Sequence, residues 1–223
     1  MCLYAGSLVP EEILSIVPKD AMLIDTSDLT MKQIEQLYIR AKELKVDVSR
    51  VHSGDVSVYG ALSEQITILQ KHDMDYQIIP GIPAYVEAAA QLKTELTAPG
   101  QVQSVVLTRT SFGSTPMPDG EDLSTFASTG ATLVIHLSIR RLNYIYRELS
   151  PIIGDDALVA VLYRIGWPDQ HIIIDRLDTI ASRVREKKIT RTALIITGKN
   201  FKKKSDLNSV LYDENFNHLF RPK

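Results

Sequence analysis

Asp47-Val48-Ser49-Arg50-Val51-His52-Ser53-Gly54-Asp55-Val56-Ser57-Val58-Tyr59-Gly60 is the stretch on which the fold turns. Asp47–His52 reads as a strand, and the residues after it are small and polar. Ala61–Lys71 then carries Leu62, Ile66 and Leu69 at helical spacing. Strand, turn and helix in that order place the turn where an α/β protein presents loops to a ligand. Gly54 removes a side chain where backbone can approach a ligand closely. Asp55 can accept hydrogen bonds from a ribose or an ammonium group. The plainer reading is a turn in which Ser53 and Asp55 only cap the helix, since small polar residues belong in turns anyway.

The same alternation extends in both directions. Upstream, Ala21–Asp25 reads as a short strand. Thr30 with Gln33 has capping-box spacing, and Met31, Ile34, Leu37, Tyr38, Ala41 and Leu44 form one apolar helical face. Downstream, Tyr76–Ile79 reads as a strand closed by Pro80-Gly81, and Ala84–Leu92 as a helix. Thr97-Ala98-Pro99-Gly100 marks a hinge. Beyond it come strands at Val102–Leu107, Ala131–Leu137, Ala157–Tyr163, Ile172–Ile174 and Thr192–Thr197. Helices are predicted at Ile139–Leu149 and around Leu177, Ile180 and Val184, and Ser111–Gly120 reads as a loop. Strands alternating with helices predict an α/β protein of two domains, 1–98 and 101–198, with mostly parallel sheets and a polar tail at 199–223. Right-handed crossovers put the strand-end loops on one rim of each sheet.

Composition excludes several classes of function. The 223 residues are 44% hydrophobic and 23% charged, and their formal net charge is −2. These are values of an ordinary folded chain, with no global field drawing it to nucleic acid or an anionic membrane. The single cysteine, Cys2, excludes an internal disulfide and a Cys-rich zinc site. Apolar runs are strand-sized and no signal peptide is legible, so the expected location is the cytoplasm, with no membrane or nucleic-acid partner. There is no G-x-S-x-G elbow and no phosphate loop. His52, His72, His136, His171 and His218 are scattered without metal-ligand spacing. The expectation is chemistry without a bound metal, and no catalytic group is identified.

Four further turns are candidates. Pro80-Gly81-Ile82-Pro83-Ala84 is either a ligand loop or a stiff connection. Arg109, after a strand, can hold a carboxylate bidentately or lie solvated. Tyr163-Arg164-Ile165-Gly166-Trp167-Pro168-Asp169 holds the only tryptophan, which either stacks on a flat ligand or fills a core. In Thr190-Arg191-Thr192-Ala193-Leu194 the small Ala193 would let a flat ring approach the backbone, although the segment also reads as the start of a buried strand.

Taken in order, Tyr4-Ala5-Gly6-Ser7-Leu8-Val9, His52-Ser53-Gly54-Asp55 through Tyr59-Gly60, Pro80-Gly81-Ile82 and Arg191-Thr192-Ala193-Leu194-Ile195 resemble the tetrapyrrole (corrin/porphyrin) methylase family. Val106-Leu107-Thr108-Arg109, Thr115-Pro116-Met117-Pro118 and Tyr163-Arg164 with Trp167-Pro168-Asp169 are similar to its corrin-ring branch. The resemblance covers roughly residues 3–198. It implies an S-adenosyl-methionine-dependent C-methyltransferase, usually a homodimer, with the cofactor in a cleft between its two α/β domains and a tetrapyrrole as substrate. On matching positions it implies cofactor contacts from Ser53, Gly54, Asp55, Val58, Pro83 and Ala84 in the first domain. Leu137, Ile165, Thr192 and Ala193 would contribute from the second, and Arg109 and Arg164 would meet the substrate's acidic side chains. The family's opening strand, Gly-x-Gly-Pro-Gly-Asp turn and helix have no counterpart in a sequence that begins Met1-Cys2-Leu3-Tyr4. The readings left open are a family methyltransferase acting on another substrate and a truncated, non-catalytic member.

Overall fold

The computed structural model describes residues 1–111 and 115–201. The chain forms two compact units, Met1–Ala84 and one that begins at Tyr85.

In the first unit, β1 (Cys2–Tyr4) leads through a short helix α1 (Glu11–Leu14) to β2 (Leu23–Asp25), then to α2 (Met31–Leu44), β3 (Ser49–Val51) and α3 (Leu62–Lys71). The strands form a parallel sheet in the order β2-β1-β3, with Leu3 opposite both Ile24 and Arg50. Helical crossovers dictate this parallel pairing. Leu3, Ile34 and Tyr38 make its buried core. The Tyr38 hydroxyl donates to Gln65 Oε1 at 2.9 Å and so satisfies a buried polar pair between α2 and α3. The capping box is present: Gln33 N donates to Thr30 Oγ1 and Thr30 N to Gln33 Oε1. Tyr76–Ile79 differs from expectation. It joins no ladder among the described residues, and Tyr76, Ile78 and Ile79 are exposed.

The second unit holds nearly all of α4 (Ala84–Leu92), then β4 (Val105–Arg109), α5 (Leu123–Ser128), β5 (Thr132–His136), α6 (Leu142–Ile153), β6 (Leu158–Tyr163), β7 (His171–Arg176), α7 (Ile180–Glu186) and β8 (Ala193–Thr197). The boundary between the units lies between Ala84 and Tyr85, in the first turn of α4. Hydrogen bonds tie residues 91–96 to later strands and turns. Thr132 Oγ1 donates to Leu96 O, Asn200 Nδ2 to Glu95 O, and Gln170 Nε2 to Gln91 Oε1.

The five-stranded sheet has the order β4-β5-β8-β6-β7 and is mixed. Only β4 and β5 pair in parallel, whereas β8 runs against both β5 and β6, and β7 runs against β6. The mostly parallel expectation therefore holds for the first sheet and not for the second. A seven-residue turn with no helix joins β6 to β7, which forces them antiparallel. Leu133, Ile135, Val159, Val161 and Ile195 face Leu142, Ile145 and Leu149 of α6 and Ile180 and Val184 of α7 in one core. No helix among the described residues is long and apolar enough to cross a membrane.

Thr30→Ala removes the acceptor of the Gln33 N–H. Loss of such a cap costs about 1 kcal/mol. The expected result is a lower urea midpoint with an unchanged slope, whereas Thr30→Ser stays near wild type.

Candidate functional site

The first unit's rim is organised by an aspartate clamp. After β3, Gly54 adopts φ +70 and Asp55 turns its carboxylate back into the loop. One oxygen accepts from the Ser57 N–H at 2.9 Å and from the Ser57 hydroxyl; the other accepts from Gly81 N at 2.8 Å. The Ser57 hydroxyl, then the Gly81 and Ser57 amides, hold the Asp55 carboxyl below the usual carboxylate range. The loop after β3 is thereby tied to Pro80-Gly81-Ile82. The contact is close enough to exclude a side chain, because a Cβ on Gly81 would fall 2.1 Å from Gly54 O. Gly54 itself lies against Pro83 and Ala84. Ser53, Gly54, Asp55, Val58, Pro83 and Ala84 are thus brought together on one rim. Asp55, however, spends its oxygens on this chain's own donors, so its first task is to shape the rim.

The same device recurs beside it, unforeseen from the sequence. Asp25 ends β2, and its Oδ1 accepts from Ser27 N at 2.8 Å, Ser27 Oγ at 2.6 Å and Gly6 N at 2.9 Å. A Cβ on Gly6 would fall 2.2 Å from Asp25 Oδ2. Asp-x-Ser after a strand, with a glycine in the neighbouring loop, is the signal both clamps share: Asp25-Thr26-Ser27 and Asp55-Val56-Ser57. The Ser27 hydroxyl, then the Gly6 amide, lowers the Asp25 carboxyl in the same way.

The second unit's rim is marked by strain. Leu137 follows β5, Arg164 follows β6 and Thr192 precedes β8, and because β8 runs against its neighbours these three positions fall on one edge. Each has a left-handed backbone, with φ of 53, 47 and 51 respectively. Such conformations cost on the order of 1–3 kcal/mol each and cluster at functional sites. The β-branched Thr192 is the most unfavourable of them. Arg164 N donates to Thr192 O at 2.8 Å, locking two of the three together. Tyr163 pairs with Ala193 in the ladder. Leu137, Ile165, Thr192 and Ala193 are therefore gathered, with Leu137 69% exposed despite its apolar side chain. Below them, the buried Ser138 hydroxyl accepts from Thr110 N at 2.8 Å and donates to His136 O at 2.6 Å, joining the ends of β4 and β5. Burial pushes the His136 imidazole down to about 4, so it is neutral at pH 7.

The two arginines differ. Arg109 donates to the carbonyls of Thr110, Thr115 and Pro116 at 3.1–3.2 Å and so spans the loop after β4. Residues 112–114 of that loop lie outside the described set, as does the tail from 202. Arg164 places its guanidinium 3.8 Å above the Trp167 ring and 3.1 Å from Asp169 Oδ2. Its Nε is buried without an acceptor. Among the described residues no three potential metal ligands converge.

Residues 1–181 match the tetrapyrrole (corrin/porphyrin) methylases. The chain belongs to this family. It is 43% identical over 221 residues to a precorrin-4 C(11)-methyltransferase of Sinorhizobium sp, covering 99% of this chain and 87% of that one. A cobalt-precorrin-4 C(11)-methyltransferase of Methanocaldococcus jannaschii is 38% identical, with 98% and 85% covered. The crystal structure of a cobalt-precorrin-4 methyltransferase superposes with a TM-score of 0.84 at 30% identity, over 88% of this chain and 82% of that one. Tetrapyrrole methylases are S-adenosyl-methionine-dependent methyltransferases.

Both aspartates have folded pKa values below the ordinary carboxylate value of ~3.9. Their clamps are intact above that value and open as pH falls through the depressed one. In an NMR titration the amide signals of Gly6, Ser27, Ser57 and Gly81 should move together, with midpoints below ~3.9. Midpoints at or above that value would contradict the clamps.

Proposed function

We propose that this methylase transfers the methyl group of S-adenosyl-methionine to C-11 of precorrin-4 or cobalt-precorrin-4, a step in building the corrin ring of cobalamin. The observation that carries this reading is near-full-length similarity to enzymes of that name from bacteria and an archaeon. The rims are consistent with it, since each gathers strand-end backbone at residues expected to meet the cofactor. On the first, Ser53, Gly54, Asp55, Val58, Pro83 and Ala84 lie on two loops that close approach at Gly81 and the Asp55 carboxylate hold together. On the second, Leu137, Ile165, Thr192 and Ala193 offer strand-end backbone and one small side chain. We assign these residues to the cofactor, and Arg164 to an acidic side chain of the substrate. Arg109 is assigned to holding its loop, with any substrate contact made by the edge of the guanidinium that the carbonyls leave.

S-adenosyl-methionine supplies a methyl group already activated by a sulfonium centre. What the chain must add is alignment. Fixing two reactants in near-attack geometry is worth up to ~7–11 kcal/mol in well-oriented systems. The Asp55 clamp, the locked Arg164–Thr192 pair and the neutral His136 serve rigidity rather than covalent chemistry. We further infer a homodimer working in the cytoplasm, to be checked by sedimentation and fractionation.

The test is calorimetric titration with S-adenosylhomocysteine, followed by methyl transfer to cobalt-precorrin-4 with the product mapped by NMR. Methylation at another ring position would reassign the substrate, and absence of nucleoside binding would end the reading. Ala193→Leu tests the second rim. It adds bulk at the position where the ring must approach, so S-adenosylhomocysteine affinity should fall at least about tenfold, a loss of ~1.4 kcal/mol. Ala193 is partly buried and packs against the second unit's core, so affinity is compared at a temperature where both proteins are fully folded.

A further inference from the structure

The turn from β6 to β7 is built around one cation. Its backbone bends sharply: Arg164 has φ 47 and Gly166 φ 81, and Trp167 N donates to Arg164 O at 2.9 Å. Gly166 N donates to Gln170 Oε1 at 2.9 Å, and Gln170 N to Trp167 O at 3.1 Å, so the far side of the turn is fixed as well. These bonds fold residue 167 back over residue 164. The indole then covers one flat face of the guanidinium at 3.8 Å, and Asp169 holds one end through Nη1 at 3.1 Å.

A guanidinium offers five N–H donors in a rigid plane. Asp169 Oδ2 lies 3.1 Å from Nη1 as an ion pair, and Nε is buried without an acceptor. Among the described residues no acceptor hydrogen-bonds to the remaining donors, and the side chain stays 29% exposed. A stacked, tethered cation that is partly exposed is suited to a carboxylate, which the Nη hydrogens can meet. Two features of Arg164 work against stability. Its backbone is left-handed, which a long side chain disfavours, and its buried N–H is unpaired. Their coexistence at one residue of the strained rim points to recognition rather than packing.

We propose that Trp167 and Asp169 are positioning residues: they hold Arg164 ready for a carboxylate side chain of the tetrapyrrole, and so help select acidic macrocycles. This rests on the methyltransferase reading given above. Trp167 acts through Arg164 and touches no reacting atom. The surface ion pair alone is weak, so the indole face carries most of the effect.

The experiment uses the full chain and two independent readouts. The first is turnover of cobalt-precorrin-4 by Trp167→Leu, Trp167→Phe, Arg164→Gln and the Trp167→Leu/Arg164→Gln double variant. KM should rise about tenfold in Trp167→Leu and at least as much in Arg164→Gln. Trp167→Phe keeps an aromatic face and should stay within about threefold of wild type. Values of kcat and S-adenosylhomocysteine affinity should hold. In the double variant Trp167→Leu should add nothing, because its effect is routed through a cation that is gone. The second readout needs no methyl transfer. Trp167 is the only tryptophan, so its emission reports this turn alone. Uroporphyrin III, a stable polycarboxylate, should quench it saturably in wild type and at higher concentrations in Arg164→Gln. Its octamethyl ester should quench only at such higher concentrations even in wild type.

An unchanged KM in Trp167→Leu overturns the proposal. So does a rise in KM matched by lost cofactor affinity, which would mark a structural role, or full additivity in the double variant. Acid-selective quenching without turnover would instead remove the substrate assignment and leave the carboxylate site standing. Equal quenching by acid and ester removes the site.

Discussion

Strand β8 lies between β5 and β6 and runs against both, and the second unit's site follows from that reversal. A strand that enters a sheet antiparallel brings its first residues to the edge where its neighbours end. Thr192 and Ala193, late in the chain, thus meet Leu137 and Arg164, which lie far upstream. The Arg164 N–H to Thr192 carbonyl bond continues the ladder by one step past Tyr163–Ala193. It does so between two residues in left-handed conformations. A ladder bond at that point fixes both against relaxation, since neither can return to the ordinary strand region without breaking it. The fully buried Ile195 and Ile196 anchor β8 behind them, which is where the energy to hold a strained edge resides.

The first unit solves a related problem differently. Its strands are only three residues long, so ladder bonds alone fix little of the rim. Carboxylates do the fixing instead: Asp25 and Asp55 each collect three donors and reach across to a glycine amide in a neighbouring loop. The glycines are needed because the approach leaves no room for a Cβ. Charge-assisted bonds of this type are stronger than neutral ones. They hold loops in place without burying apolar area.

Periodicity made most elements legible. The Thr30–Gln33 box and the α2 stripe came directly from spacing, and α4 from the alanine-rich composition of Ala84–Leu92. Register did not, because pairing partners are chosen by the whole sheet. Nothing local in Thr192–Thr197 says that it runs against Ala131–Leu137. Tyr76–Ile79 has a strand's composition yet no ladder, since composition supplies propensity and a partner must supply the bonds. The ties around the Thr97–Gly100 hinge were hidden for a similar reason. Pro99-Gly100 is a sound turn signal, but the side-chain bonds of Gln91, Thr132 and Asn200 are long-range and leave no trace in a window. Of the candidate site, the turns were readable and their internal wiring was not. Asp55 looked like a free acceptor because its donors, Ser57 aside, lie outside the segment.

Arg109 and Arg164 show why residue type at a strand end does not settle a role. Both follow the apolar core of a strand, and both looked able to bind a carboxylate. The difference arises in what comes next. After Arg109 the chain runs through Thr110, Thr115 and Pro116, whose carbonyls turn toward the guanidinium and occupy it. Proline has no N–H to hold such a carbonyl in a ladder, and a loop rich in proline and glycine leaves carbonyls in search of donors. After Arg164 comes a turn closed by Gly166, which returns an aromatic face and a carboxylate but no carbonyl to the cation. A face and a single anion orient a guanidinium and leave its donors available, whereas three carbonyls occupy three of its five donors. On the role proposed for Arg164, the donor and acceptor balance of the following turn is what separates the two arginines.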